Sequence, residues 1–179
     1  GYKPLVEARL RKNKAVTRIC VCSPRFTDSS FVHRLRGITS ALAGDPNIEL
    51  QVFSVDTKDH FDRFIDMLPF RRLDGLIFLS LCVSEEQAAR IRDFDVQSVF
   101  VEHPSQTVNS VVIDDYAGGR MAADAFLKRG RRNFGIVGER KQFDLSVNPN
   151  VRRRQGFTER LAEAGIEMNL KYDYDVRCH

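Results

Sequence analysis

Short apolar runs alternate along the chain with longer segments whose apolar residues fall three and four positions apart, the alternation expected of strand and helix. The first run is 19–23. Behind it Ser29 and Ser30 are placed to cap a helix that carries Phe31, Leu35, Ile38 and Leu42 on one face, and Gly44, Asp45, Pro46 and Asn47 stop it. A second strand over 49–55 alternates Leu50 and Val52, with Val55 beyond. It leads to a helix over 59–68 that Pro69 should end. Residues 74–80 form a nearly continuous apolar run, the kind buried on both faces of a parallel sheet. A helix over 84–92 and a fourth strand over 98–102 follow, then the stretch 110–115 and a helix over 116–130 closed by Gly130. The pattern then restarts with a strand over 133–137, a polar loop over 138–150 and a helix over 151–164 ended by Gly165. The residues from there to His179 hold an apolar and aromatic patch.

Strands separated by single helices, without tight hairpin signals, argue for right-handed βαβ crossovers and a doubly wound parallel sheet of the α/β class. Ligands of such sheets gather at the carboxyl ends of the strands. That rule places 23–31, 80–83 and 102–104 along one rim.

Composition narrows the function classes. The chain has 179 residues, 42% of them apolar, enough for a core. No apolar run approaches the roughly 20 residues needed to cross a bilayer, and none at the start reads as a secretory signal, so a cytoplasmic protein is expected. The net charge of +4 is unevenly spread. Lys3, Arg9, Arg11, Lys12, Lys14 and Arg18 face Glu7 alone, which leaves a nearly neutral body behind a basic leader. Such a leader suggests a polyanionic partner such as nucleic acid, or simply a solvated tail. Cys20, Cys22, Cys82 and Cys178 are too scattered for a disulfide scaffold and are expected as reduced thiols. Cys20 and Cys22 share one face of a strand, but neither Cys82 nor His33, His60, His103 and His179 complete a zinc set. No metal and no cofactor are expected. The chain also lacks a serine nucleophile elbow and a phosphate-cradling glycine loop, so an enzyme is not expected.

Four segments together resemble the LacI/GalR family of bacterial transcription regulators. They are Gly1-Tyr2-Lys3-Pro4 with Ala8-Arg9; Asp74-Gly75-Leu76-Ile77; Val112-Ile113-Asp114-Asp115 with Gly118-Gly119, Ala122 and 127–132; and Arg153-Arg154-Gln155-Gly156-Phe157 with Leu161 and Ala164-Gly165. The resemblance implies the first subdomain of a periplasmic-binding-protein-like fold plus an incomplete second subdomain, with an effector held between them. It divides the chain into a basic linker over 1–15, a first effector subdomain over 16–130 and the start of a second over 131–179. A helix-turn-helix headpiece would precede Gly1 and reach operator DNA, and a homodimer is expected. Arg9, Leu10, Arg11 and Lys12 fall in the family's DNA-contacting linker. Arg11 stands where the family has a minor-groove leucine and Leu10 comes one position early; an apolar wedge unstacks bases, whereas an arginine enters a narrow groove electrostatically.

The resemblance also implies site residues. Arg153 takes the place of the family's effector-contacting arginine, whose fork of donors suits vicinal hydroxyls, carboxylates and phosphates. With Arg152 and Arg154 beside it, a solvated basic helix start is the other reading. Ser30 and Phe31 match cleft-facing positions, although Phe31 equally fits the apolar stripe of its helix. Ser23, Arg25 and Asp28 lie on the same rim loop, and Glu102 follows the fourth strand as a hydroxyl acceptor, with His103 beside it as a surface residue. Arg140, Lys141 and Ser146 in the long loop would favour an anionic ligand such as a sugar phosphate. The expected function is effector sensing by a DNA-binding regulator that takes a small carbohydrate or sugar phosphate. The alternative is a solute-binding protein of a transport system with the same fold.

Overall fold

The structure, a computed structural model, describes residues 16–24, 28–138, 145–168 and 172–175. The leader and linker, including Arg9, Leu10, Arg11 and Lys12, lie outside the described residues, as do Arg25, Arg140 and Lys141. The chain divides into two compact units between Val111 and Val112.

The first unit is built from β1 (Thr17–Ser23), α1 (Ser29–Leu42), β2 (Ile48–Ser54), α2 (Lys58–Asp66), α3 (Leu68–Arg71), β3 (Gly75–Leu79), α4 (Glu85–Asp93), β4 (Gln97–Val101) and β5 (Asn109–Val111). All five strands pair in parallel in the order β2-β1-β3-β4-β5. The register sets Val21 beside both Val52 and Ile77, and Phe78 beside Phe100. Winding reverses between β1 and β3, the position where open sheets of this class leave a crevice at their carboxyl ends.

Period-two alternation sorts the strand residues between two helix layers. Val21, Phe31 and Leu79 form one cluster with Leu35, Ile38, Leu50, Ile77 and Val101, so α1 covers that face. The intervening residues Cys20, Cys22, Leu76, Phe78 and Phe100 are buried too, as are Phe61, Phe64 and Ile65 of α2 and Ala88 and Ile91 of α4. Edge-to-face contacts run from Phe61 to Phe78 at 5.8 Å and from Phe78 to Phe100 at 5.4 Å, tying α2 to the middle of the sheet. Each ring so buried contributes about 1.5–3 kcal/mol. Ser84 and Gln87 make a reciprocal capping box at the start of α4, and the Gln87 amide also donates to Asp62 of α2 at 2.8 Å.

Three local expectations shift. The cap of α1 is Asp28, so Ser29 and Ser30 lie inside the first turn. The helix before Pro69 already ends at Asp66, and Pro69 sits in the first turn of the short α3, where its missing N–H costs nothing. Val52 is exposed although its alternation partner Leu50 packs on the core, because β2 is an edge strand that α1 covers only in part.

The second unit contains α5 (Asp115–Leu127), β6 (Ile136–Gly138), α6 (Pro149–Glu163) and β7 (Asp173–Asp175), with β6 and β7 parallel. Ala123, Phe157 and Leu161 are its buried centre, surrounded by Leu127, Phe134, Ile136, Ile166 and Met168. The sequence division at 130/131 would leave α5 with the first unit. The structure places α5 with the second, because it packs along α6 and supplies Ala123 to that core. Among the described residues no helix is long and apolar enough to cross a membrane.

Candidate functional site

In the first unit the carboxyl ends of β1, β3 and β4 carry Ser23, Ser80 and Glu102. Ser23 is buried at the end of β1, and its carbonyl accepts from the Val55 amide at 3.0 Å. Ser80 and Glu102 both have left-handed backbones, with φ of 56° and 70°, immediately beyond their strands. These turns bring the two side chains together: the Ser80 hydroxyl donates to Glu102 Oε2 at 2.5 Å. Arg34, reaching from α1, donates to Oε1 of the same carboxylate. Glu102, expected as a hydroxyl acceptor, already accepts from two side chains. It is the middle of a Ser80–Glu102–Arg34 cluster in which both carboxylate oxygens are engaged.

The other predicted residues of this rim separate. Phe31 is 3% exposed and packs on Val21 and Leu79, so its ring belongs to the core rather than to a ligand-covering position. The reason is its place in the stripe with Leu35 and Ile38, which turns it toward the sheet. Ser30 and Asp28 are exposed at the start of α1. The His103 ring meets Phe100 edge-on at 5.8 Å.

In the second unit the three consecutive arginines at the start of α6 have three different partners, which replaces the picture of a uniformly solvated basic helix start. Arg152 lies over the Tyr116 ring at 5.2 Å and donates to the Gln155 side chain at 2.9 Å. Arg153 donates from Nε to Asp115 Oδ1 at 2.7 Å. Arg154 pairs with Asp173 of β7. Asp115 opens α5 behind the cap Asp114, whose side chain accepts from the Ala117 amide at 2.9 Å, so the acid that holds Arg153 sits at the favourable N-terminal end of a helix.

Two glycines make that pairing possible. A Cβ on Gly119 would stand 2.0 Å from the Arg153 carbonyl oxygen, and one on Gly156 would stand 2.1 Å from the Tyr116 carbonyl oxygen. Only hydrogen fits at either place, so α5 and α6 touch backbone to backbone at the turn that bears Arg153. Polar links extend the contact: Tyr116 donates its hydroxyl proton to Glu159 at 2.6 Å, and Arg120 forks onto Glu163 with two bonds of 2.7 Å. The bond to Glu159 also pushes the Tyr116 hydroxyl above its usual pKa.

A groove of about 410 Å³ lies among α5, β6 and α6, lined by Ala122, Phe126, Ile136, Asn150, Arg153 and Phe157 among others. Its walls are largely apolar and offer few hydroxyl partners beyond Asn150 and the arginines. Among the described residues no group of three or more His, Cys, Asp or Glu is arranged to hold a metal ion. Burial pushes the Cys20 thiol up to about 11 and that of Cys22 further still, which makes both poor thiolates.

Sequence reasoning named Glu102 and Arg153 but missed their partners. Asp115 lay in the quoted Asp114-Asp115 pair without a role, and Ser80 lay on the expected rim without one. Arg34 gave no signal, because a cation between Phe31 and Leu35 reads as the polar side of a helix.

No protein-family model matches the chain. It is 24% identical over 177 residues to the HTH-type transcriptional regulator RegA of Clostridium saccharobutylicum, covering 97% of this chain and 52% of RegA. A LacI-family transcriptional regulator from Silicibacter pomeroyi shares the fold with a TM-score of 0.74 at 24% identity, over 90% of this chain and 47% of that one. A LacI-family regulator from Lactobacillus casei with bound sucrose does so with a TM-score of 0.72 at 22% identity, over 89% of this chain and 58% of that one. The chain spans about half the length of the curated relatives it matches. Over that span it is similar in sequence to the HTH-type transcriptional regulators RegA and DegA, and it shares its fold with LacI-family transcription regulators.

Proposed function

We propose that the chain is the effector-sensing part of a DNA-binding transcription regulator that takes a small carbohydrate or sugar phosphate. The carrying observation is Arg153: Asp115 holds its Nε at 2.7 Å, while its two terminal nitrogens have no hydrogen-bond partner among the described residues. A guanidinium held in this way presents a fixed pair of donors at the spacing of vicinal hydroxyls. The Ser80–Glu102–Arg34 cluster supplies mixed donors and acceptors in the first unit. Ser23, Ser30 and Asp28 remain further candidates on that rim, and Arg25, outside the described residues, is a candidate by sequence. Neighbours solved with sucrose, glucose and cellobiose support a carbohydrate class.

Effector binding shifts the population of regulator conformations and so alters operator affinity. Operator DNA would be reached through a headpiece, with Arg9, Leu10, Arg11 and Lys12 in the linker, and the protein would act as a homodimer in the cytoplasm. The regulator reading is favoured over a transport solute-binding protein because RegA and DegA are HTH-type regulators. A thermal-shift screen against sugars and sugar phosphates tests the proposal, since a ligand present at 100 times its Kd stabilises the native state by about 2.7 kcal/mol. A screen in which no carbohydrate raises the melting temperature counts against it.

A further inference from the structure

We propose that Asp115 and Arg34 determine charge selectivity: each neutralises an effector-contacting side chain within its own unit, so that the protein takes an uncharged polyhydroxylated ligand and discriminates against phosphate esters. The inference rests on the effector-binding reading given above and narrows its ligand class.

In the second unit the candidate contact is a cation with a built-in anion. Asp115 Oδ1 accepts from Arg153 Nε at 2.7 Å, and the Asp115 side chain is 17% exposed against 50% for Arg153. The carboxylate is thus held at the inner end of the guanidinium, anchored by the first turn of α5, while the terminal nitrogens have no partner among the described residues. In the first unit the polarity is reversed. Glu102 is 12% exposed and its counter-charge comes from Arg34 on α1, itself 30% exposed, while Ser80 takes the second carboxylate oxygen. The neighbouring Arg154 is likewise paired, with Asp173.

A phosphate needs uncompensated positive charge. A dianion approaching Arg153 meets the Asp115 carboxylate a few ångströms behind it, and the repulsion offsets part of the attraction. A hydroxyl both donates and accepts, so it can bond a guanidinium and a carboxylate of the same pair without charge penalty. Selectivity of this kind comes from a repulsive element set against the wrong ligand.

The test compares inorganic phosphate binding by calorimetry in the unaltered protein, in Asp115→Asn and in Glu102→Gln. Each substitution keeps the size of the side chain and removes the carboxylate charge, leaving Arg153 or Arg34 uncompensated. Phosphate affinity should rise about tenfold or more in Asp115→Asn, equivalent to 1.4 kcal/mol, and should also rise in Glu102→Gln. Arg152→Gln, which removes an exposed cation without freeing one, should show no such rise. Neutral sugars should raise the melting temperature of the unaltered protein more than their phosphate esters do. The proposal is overturned if an ester binds more tightly than its neutral parent, or if both acid-to-amide variants fold with unchanged phosphate affinity. Glu102→Gln carries the test alone should Asp115→Asn not fold. If neither sugars nor esters bind, the effector reading falls, while the phosphate gain still decides the charge assignment.

Discussion

Gly119 of α5 lies directly beneath the main-chain carbonyl of Arg153 on α6, so close that a methyl group in its place would stand 2.0 Å from the oxygen. The crossing of two helices and the placement of the candidate effector arginine are one event. Gly119→Ala, or the reciprocal Gly156→Ala, should force the helices apart and destabilise the second unit by about 1–3 kcal/mol. Urea unfolding followed by near-ultraviolet signals of that unit measures the loss. An unchanged midpoint would mean that the helices can separate without cost.

Arg153→Ala should behave differently. The side chain is half exposed and its ion pair with Asp115 is a surface interaction, worth about 0.2–1 kcal/mol. The melting temperature should hold within a few degrees while carbohydrate binding is lost. Calorimetry with any sugar found by the thermal-shift screen decides the matter, and retained affinity would remove Arg153 from the site.

Phe31→Ala separates a core ring from a ligand-covering one. Because Phe31 packs on Val21 and Leu79 under α1, its truncation should cost about 3–5 kcal/mol of stability. A ring that served only to cover a ligand would leave the unfolding midpoint in place and weaken binding alone.

Alkaline stability follows from the thiols of β1. Burial raises the Cys20 pKa from 9.0 to about 11, with Cys22 higher. Above the unfolded value the denatured chain releases protons that the native chain keeps, so stability is complete below about pH 9 and falls as pH rises toward 11. Replacing Cys20 by Ala should flatten that fall relative to the unaltered protein in urea titrations between pH 8 and 11. The native thiols of Cys20 and Cys22 should also resist a thiol reagent at pH 8 until denaturant is added. An equal alkaline slope in both proteins would rule out this origin.

The strand and helix pattern of the first unit was legible in the sequence because burial imposes strict periodicity there. The stripe Phe31, Leu35, Ile38 and the run 74–80 each have a single geometric solution. The second unit was less legible: β7 is the polar Asp173-Tyr174-Asp175, which carries no alternation and takes strand form by pairing with β6. The division of the chain was misplaced because Gly130 ends a helix convincingly, whereas membership of a unit depends on what the helix touches. The polar clusters around the candidate residues were legible only in part. Arg153 and Glu102 stand in recognisable places, but the charges that neutralise them are 38 and 68 positions away in sequence, joined only by packing. Phe31 shows the converse, since the same position satisfies two readings until burial is known.

Ser80 and Glu102 adopt left-handed backbones that L side chains with a Cβ rarely hold, at a cost of order 1 kcal/mol each. Glycine at either position would relieve that strain, and asparagine would tolerate it better. That relief competes with the loss of the Ser80–Glu102 and Arg34–Glu102 bonds, and because a hydrogen bond to a charged group is worth about 1.5–3 kcal/mol, a library selected for heat resistance should keep Glu102. The two left-handed turns and the contacts they permit therefore stand or fall together, the backbone cost at each position being offset by the bonds its side chain makes.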